Sequence, residues 1–347
     1  MLRQRLTRII GPSLALLSVL VAGCTRSVGP MDWIGPVAGD QAEAQRWITW
    51  YLIYLGAAVF VFVEGWLLYN IIKFRRPLGP GVLPPQIHGH RTVEVLWTVV
   101  PTLIVLAIAV PSIPLVFSFA QPPDEAGALR VEVLAHQWWW EFRYPDIVPG
   151  RTIAVANELR IPVGRTVIAT LSSADVIHSF WVPKLSGKVD VIPGRQKNRI
   201  WFNAREPGEY YGWCAEFCGT QHAQMRFRVK AVPAAEFEAW VRARLSPPPE
   251  PKEGLARRGF ELFGARGCGA CHTIEGTPYQ GKVGPNLTNI GERSTVGAGV
   301  LENDPEGEGL FRWVKNPQAV KPGNKMPNLG LSDDDVRALV AYLRTLR

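Results

Sequence analysis

Two long apolar runs, 48–72 and 95–117, constrain this chain more than any other feature. Glu64 and Asn70 are the only strongly polar residues of the first, and the second carries no charge. Each is long enough to cross about 30 Å of hydrocarbon as a helix, the one open-chain conformation that satisfies its own backbone there. A chain of 347 residues with two such runs near its start must build a membrane hairpin and fold the remainder in water. Pro101, Pro111 and Pro114 are expected to kink or end the second helix. Lys73, Arg75, Arg76 and Arg91 crowd the intervening loop, which puts that loop on the cytoplasmic side and everything after residue 120 outside. Trp47, Trp50 and Tyr51 suit interfacial anchors. Glu64, mid-span, must face protein or water. Glu94 opens the second run, where the helix dipole favours a carboxylate; a proton-entrance role is the other reading.

Residues 1–23 read as a leader, with Arg3, Arg5 and Arg8 ahead of a short apolar stretch broken by Pro12. It ends in Val21-Ala22-Gly23-Cys24, which resembles the bacterial lipobox and implies lipidation of Cys24 with the N-terminus outside. An ordinary signal peptide or an uncleaved anchor helix remains the alternative. Composition adds limits only. The chain is 47% hydrophobic and 20% charged, too apolar for a disordered protein. Its net charge of +8 suits an anionic surface or acidic partner, but part of it is the loop and the leader. Nothing in the sequence points to nucleic acid.

Residues 24–120 hold the N-terminal segment and both spans, and 121–245 form the first outer domain. Short apolar runs punctuated by Pro and Gly, such as 129–140, 166–171, 199–202 and 225–229, predict an antiparallel β-sandwich, with 234–245 a closing helix. Within it lies Cys214-Ala215-Glu216-Phe217-Cys218-Gly219-Thr220-Gln221-His222-Ala223-Gln224-Met225, and upstream Asp175-Val176-Ile177-His178. Thiolate, imidazole and thioether together are the donor set of a cupredoxin-type copper site. A second Cys allows two thiolates to bridge two coppers. A Cys214–Cys218 disulfide, or a structural zinc on Cys214, Cys218, His178 and His222, are competing readings.

These residues resemble subunit II of haem–copper cytochrome c oxidases, the family that carries the binuclear copper A centre. The resemblance implies that His178, Cys214, Cys218, His222 and Met225 are side-chain copper ligands. Glu216 would give its backbone carbonyl and offer its carboxylate to magnesium at the border with subunit I. His136-Gln137-Trp138-Trp139-Trp140 is similar to the family's aromatic stretch, in which the position of Trp138 receives electrons. Val93-Glu94-Val95-Leu96-Trp97 is similar to the start of its second helix, where the Glu lies at the mouth of a proton pathway. Asp190, Pro193, Gly194 and Arg195 read as supports and subunit I contacts.

A Pro-rich spacer, 246–254, leads to a last domain, 255–347, of different character. Cys268-Gly269-Ala270-Cys271-His272 reads as covalent attachment of haem c, with two thioethers and an imidazole held under the iron. A thioredoxin-like pair or half a zinc site would leave His272 unexplained. Met326, in Lys325-Met326-Pro327, is the only Met after this motif and the candidate sixth ligand. Gly284-Pro285-Asn286-Leu287 resembles the proximal loop of class I cytochromes c, so this domain is expected to be all-α. The stretch 295–309, with Glu302, Asp304, Glu306 and Glu308, reads as a solvated insertion.

Together the resemblances imply a membrane-anchored multidomain chain: a two-helix hairpin, a cupredoxin-like sandwich and a cytochrome c domain. This is the caa3-type arrangement in the bacterial plasma membrane. Such a subunit passes electrons and does not itself reduce oxygen. It implies two coppers, one haem c and magnesium as cofactors, and oxidase subunits I and III and membrane lipid as partners. Its donor would be a quinol–cytochrome c reductase or a small cytochrome c. The alternatives are the electron-receiving subunit of a copper A nitric oxide reductase and a membrane-anchored copper-delivery protein.

Overall fold

The computed structural model describes residues 32–75, 85–86 and 88–347; Cys24 and the leader lie outside them. Helix α1 (Asp40–Lys73) and helix α2 (Arg91–Ala120) contain the two apolar runs. Phe62, Ile72, Val110 and Phe117 are exposed along them, a surface suited to lipid rather than water. The three prolines do not end α2. Pro111 has no N–H for the carbonyl of Ala107 one turn earlier, and the Tyr51 hydroxyl of α1 donates to that oxygen at 3.0 Å. Tyr51 therefore repairs a proline break and ties the hairpin together. The outer end of the hairpin is fixed to the next domain: the amides of Ala38 and Gly39 donate to the Lys184 carbonyl, and the Trp201 indole donates to the Ser118 carbonyl.

The sandwich has ten strands. They are β1 (Leu129–His136), β2 (Trp139–Val148), β3 (Arg151–Ala156), β4 (Glu158–Pro162), β5 (Val167–Ser173), β6 (His178–Trp181), β7 (Lys188–Val191), β8 (Asn198–Phe202), β9 (Gly208–Cys214) and β10 (Arg226–Val232). They form two sheets, ordered β3-β2-β1-β5-β8 and β4-β10-β9-β6-β7. Pairing is mostly antiparallel, as expected, but β1–β5 and β4–β10 are parallel. Both parallel pairs join strands far apart in sequence, where no hairpin dictates direction. Alternation builds the core: Leu129, Val131, Val133 and Ala135 point inward from β1. Trp140, Phe180 and Phe227 pack edge and face at its centre. The run 129–140 is two strands, not one, and its break places Gln137 and Trp138 in a turn at the end of the sheet.

Helix α3 (Ala234–Ala243) closes the sandwich by burying Phe237 and Trp240. The last domain comprises α4 (Gly254–Ala265), α5 (Cys268–Cys271), a hairpin β11 (Thr295–Val296) and β12 (Leu301–Glu302), α6 (Glu308–Lys315), α7 (Pro317–Val320) and α8 (Asp333–Leu343). Helices α4 and α8 pack against each other, with Phe260 and Phe263 edge-on to Tyr342. They approach so closely at Gly259 that an added Cβ would lie 2.0 Å from the backbone oxygen of Ala338. Gly259→Ala is expected to destabilise this domain by about 1–3 kcal/mol, the usual cost of overpacking. A thermal unfolding midpoint equal to the parent's would contradict that contact.

The stretch 295–309 is solvated only in part: Glu302, Glu306 and Glu308 are exposed. Thr295, Val296 and Ala298 are buried, and the hairpin tip meets the sandwich, where the Arg226 amide donates to the Ala298 carbonyl at 3.1 Å. Asp304 caps α6, accepting from the amides of Glu308 and Gly309 at 2.8 and 2.6 Å. Three of the stretch's four acidic residues face solvent and the fourth, Asp304, serves as the cap, while Val296 and Leu301 pack into the last domain's own core. Left-handed backbone at Gly297, Ala298 and Gly299 turns the tip over.

Candidate metal centre and haem pocket

The donor-rich loop starts where β9 ends at Cys214, passes through a 3-10 turn at His222–Gln224, and rejoins the sheet at β10. His178 begins β6, which pairs with β9 and so lies beside Cys214. Cys214 Sγ is 3.7 Å from His178 Nδ1, 3.2 Å from the Glu216 carbonyl oxygen and 3.7 Å from Cys218 Sγ. Cys218 Sγ is 3.7 Å from His222 Nδ1 and 3.9 Å from Met225 Sδ. The six expected donors thus gather around the two sulfurs, with an imidazole at each end. The separation of the sulfurs excludes a disulfide here. Zinc would need four of these donors and leave Met225 and the Glu216 carbonyl unused.

The sulfurs themselves favour a cation. The neighbouring Cys218 thiol, with His178, pulls the Cys214 pKa down. The Cys214 thiolate and burial then push the Cys218 pKa far up. Two thiolates this close repel, so both can be held only with positive charge between them. Asp175 Oδ1 lies 2.9 Å from His178 Nε2, and the other oxygen accepts from the Gln137 amide at 2.7 Å. A proton held at Nε2 leaves the Nδ1 lone pair toward Cys214. The role of Asp175 escaped the sequence reading, although a carboxylate three residues before a ligand histidine was visible there. Asp175→Ala should weaken copper binding about 10–100-fold, the usual effect of losing such a support. Copper titration of the metal-free protein with unchanged affinity would refute this.

The haem candidates also converge. Cys268, Cys271, His272 and Met326 line one cavity of about 230 Å³, together with Arg293 and Trp138. His272 Nδ1 lies 2.8 Å from the Pro285 carbonyl, which makes Nδ1 the protonated nitrogen and leaves Nε2 as the free donor. Burial lowers the His272 pKa and favours the neutral, ligating imidazole. Gly284 is required by close approach, since a Cβ there would sit 2.5 Å from the ring. Across the cavity, Gln318 and Asn324 brace the Met326 loop: the Gln318 side-chain amide donates to the Met326 carbonyl at 2.7 Å, and the Met326 amide donates to Asn324 Oδ1 at 2.8 Å. Arg293 is buried, and its Nε has no partner among the described residues, which suits a ligand carboxylate. These residues fit a covalent haem with His and Met on its two faces.

Trp138 belongs to both sites. Its indole N–H donates to the Cys218 carbonyl at 3.0 Å, and the side-chain amide of Gln137 donates to the same oxygen at 2.9 Å. Trp138 also lines the haem cavity. Glu216 has an exposed side chain while its carbonyl faces Cys214. Glu94 lies in the first turn of α2, where Oε1 accepts from the His90 amide at 3.1 Å, a helix-capping contact.

Three family descriptions match the chain: "Cytochrome C oxidase subunit II, transmembrane domain" over residues 34–115, "Cytochrome C oxidase subunit II, periplasmic domain" over 147–232, and "Cytochrome c" over 256–347. The chain is similar to "Cytochrome c oxidase subunit 2" of Alkalihalophilus pseudofirmus, with 37% identity over 96% of each chain. It is similar to the protein of the same name from Bacillus subtilis, with 34% identity and 96% of each chain covered. It is also similar to that of Bacillus sp. strain PS3, with 32% identity over 96% of this chain and 95% of the other.

Proposed function

Because the chain belongs to the cytochrome c oxidase subunit II family, with a cytochrome c domain at its C-terminal end, we propose that its own haem domain feeds its copper centre through Trp138. It is the membrane-anchored electron-transfer subunit of a haem–copper oxidase, working with the oxygen-reducing subunit I. When bound, the haem and the copper pair supply one-electron transfer. Cys268 and Cys271 would hold the haem by thioethers, and His272 and Met326 would supply the imidazole and the thioether to its iron. The copper pair would be held by the thiolates of Cys214 and Cys218 with His178 and His222, and more weakly by Met225 and the Glu216 carbonyl. A compact frame of this kind keeps donor positions alike in both redox states, which favours fast electron transfer.

The observation that carries the reading is Trp138, whose indole N–H rests on the carbonyl of Cys218 and which also lines the haem cavity. Holding donor and acceptor on one chain replaces a diffusive encounter with a high effective concentration. The test is optical and biochemical. The purified chain should show a near-infrared mixed-valence copper band beside the haem c spectrum, and co-purify with a large haem-bearing membrane subunit. One labile Cu(I) without that band would favour copper delivery instead.

Further roles rest on the family resemblance. The exposed carboxylate of Glu216 meets magnesium at the subunit I border. Subunit III completes the assembly, and a quinol–cytochrome c reductase or small cytochrome c loads the haem from outside. Cys24 carries a lipid, with the N-terminus outside. Glu94 opens a proton pathway into subunit I, so Glu94→Gln should slow steady-state oxygen reduction while haem-to-copper electron transfer stays at the parent rate. Equal steady-state turnover would remove Glu94 from that pathway.

A further inference from the structure

Lys321 follows α7 in the haem domain and is only 2% exposed. Its Nζ donates to the carbonyl of Trp138 at 2.9 Å, to that of Gln224 at 2.8 Å and to that of Gly297 at 3.3 Å. Trp138 and Gln224 belong to the copper domain, and Gly297 to the tip of the β11–β12 hairpin. A buried amine is costly unless its donors find acceptors, and three backbone oxygens meet at this point only while the domains are docked. Desolvation pulls its pKa down to about 7, but ammonium and amine both donate N–H, so the contact stands in either form. The other charged contact beside the two sites, Lys325 with Asp175 at 3.5 Å, has a lysine 57% exposed and is screened by solvent.

We propose that Lys321 is the positioning residue that registers the haem domain on the copper domain at Trp138, making intrachain electron transfer a step within a fixed arrangement rather than a diffusive re-encounter. Three features single out Lys321. It is buried, its partners are rigid backbone rather than mobile side chains, and one partner is the residue that joins the two sites. The Gln221 side-chain amide, which donates to the Pro322 carbonyl, and the Arg226 amide, which donates to the Ala298 carbonyl, lie in the same contact and depend on its register. The inference rests on the proposed path from haem to copper.

The test uses the full chain in its purified oxidase complex, comparing Lys321→Met with the parent. The Arg226 amide, whose acceptor lies in the other domain, should exchange with solvent at least about tenfold faster in the variant, while the Val229 amide inside β10 is unchanged. After rapid photoreduction of haem c, its reoxidation should slow at least about tenfold and become sensitive to solvent viscosity, whereas the parent rate should not depend on viscosity. Parent-like exchange at Arg226 together with a parent-like, viscosity-independent rate would overturn the role of Lys321. If Lys321→Met does not retain both cofactors, Lys321→Gln is measured in the same way, and parent-like values there overturn it equally. A parent in which haem c never reduces the copper pair would overturn the path itself and not the docking role, which the exchange measurement reads separately.

Discussion

Replacing Cys218 with serine will abolish the near-infrared copper band and leave the haem c spectrum intact. Cys218 Sγ is the hub of the cluster, within 3.7 Å of Cys214 Sγ and of His222 Nδ1 and 3.9 Å from Met225 Sδ. A serine hydroxyl is a harder donor that resists deprotonation and does not replace a bridging thiolate. His222 and Met225 would lose the sulfur they flank, while Cys214 would keep only His178 and the Glu216 carbonyl beside it. Oxidase turnover should fall by more than about 100-fold, beyond the range seen when only a supporting residue is lost. The haem domain has its own core, built on Phe260, Phe263, Leu339 and Tyr342, so its attachment should not follow the copper site. A mixed-valence band retained in Cys218→Ser would sink the two-sulfur assignment.

Met326→Ala should keep the haem covalently attached but lower its reduction potential. Thioethers at Cys268 and Cys271 would not depend on the loop that carries Met326. A thioether ligand favours the reduced iron, so its loss, with water or another base in its place, moves the potential down. A fall on the order of 0.1–0.3 V is expected, a fraction of the roughly 0.8 V that axial ligands span. With its potential lowered, haem c should be harder to load from an external donor. Redox titration and spectra unchanged from the parent would exclude Met326 as a ligand. The loop should survive the substitution, because Gln318 and Asn324 brace its backbone rather than the Met side chain.

Much of this site was legible because its chemistry is local in sequence. Cys214, Glu216, Cys218, His222 and Met225 fall within one loop, and Cys268, Cys271 and His272 within one turn, so spacing alone nearly sets their geometry. Apolar length found both spans in the same way. Of the kink or end expected at the prolines, the end does not occur, and the Tyr51 hydroxyl that takes over the freed Ala107 carbonyl could not be read from the missing N–H alone. The stretch 295–309 was half legible: its glutamates are exposed as composition suggests, while the burial of Thr295, Val296 and Ala298 depends on packing that no local pattern shows. Asp175 was in view but had no role until β6 placed His178 above it.

By itself the sequence determined the membrane hairpin, the donor types of both sites and the order of the domains, because those depend on composition and short spacing. Only the tertiary structure decided the contacts that cross large separations. Pairing of β6 with β9 brings His178 to a cysteine 36 residues later. The turn after β1 sets Trp138 on the Cys218 carbonyl, and Lys321 reaches that same turn from 183 residues away. Such contacts follow from sheet order and from the surfaces two folded domains present to each other, which no local pattern encodes.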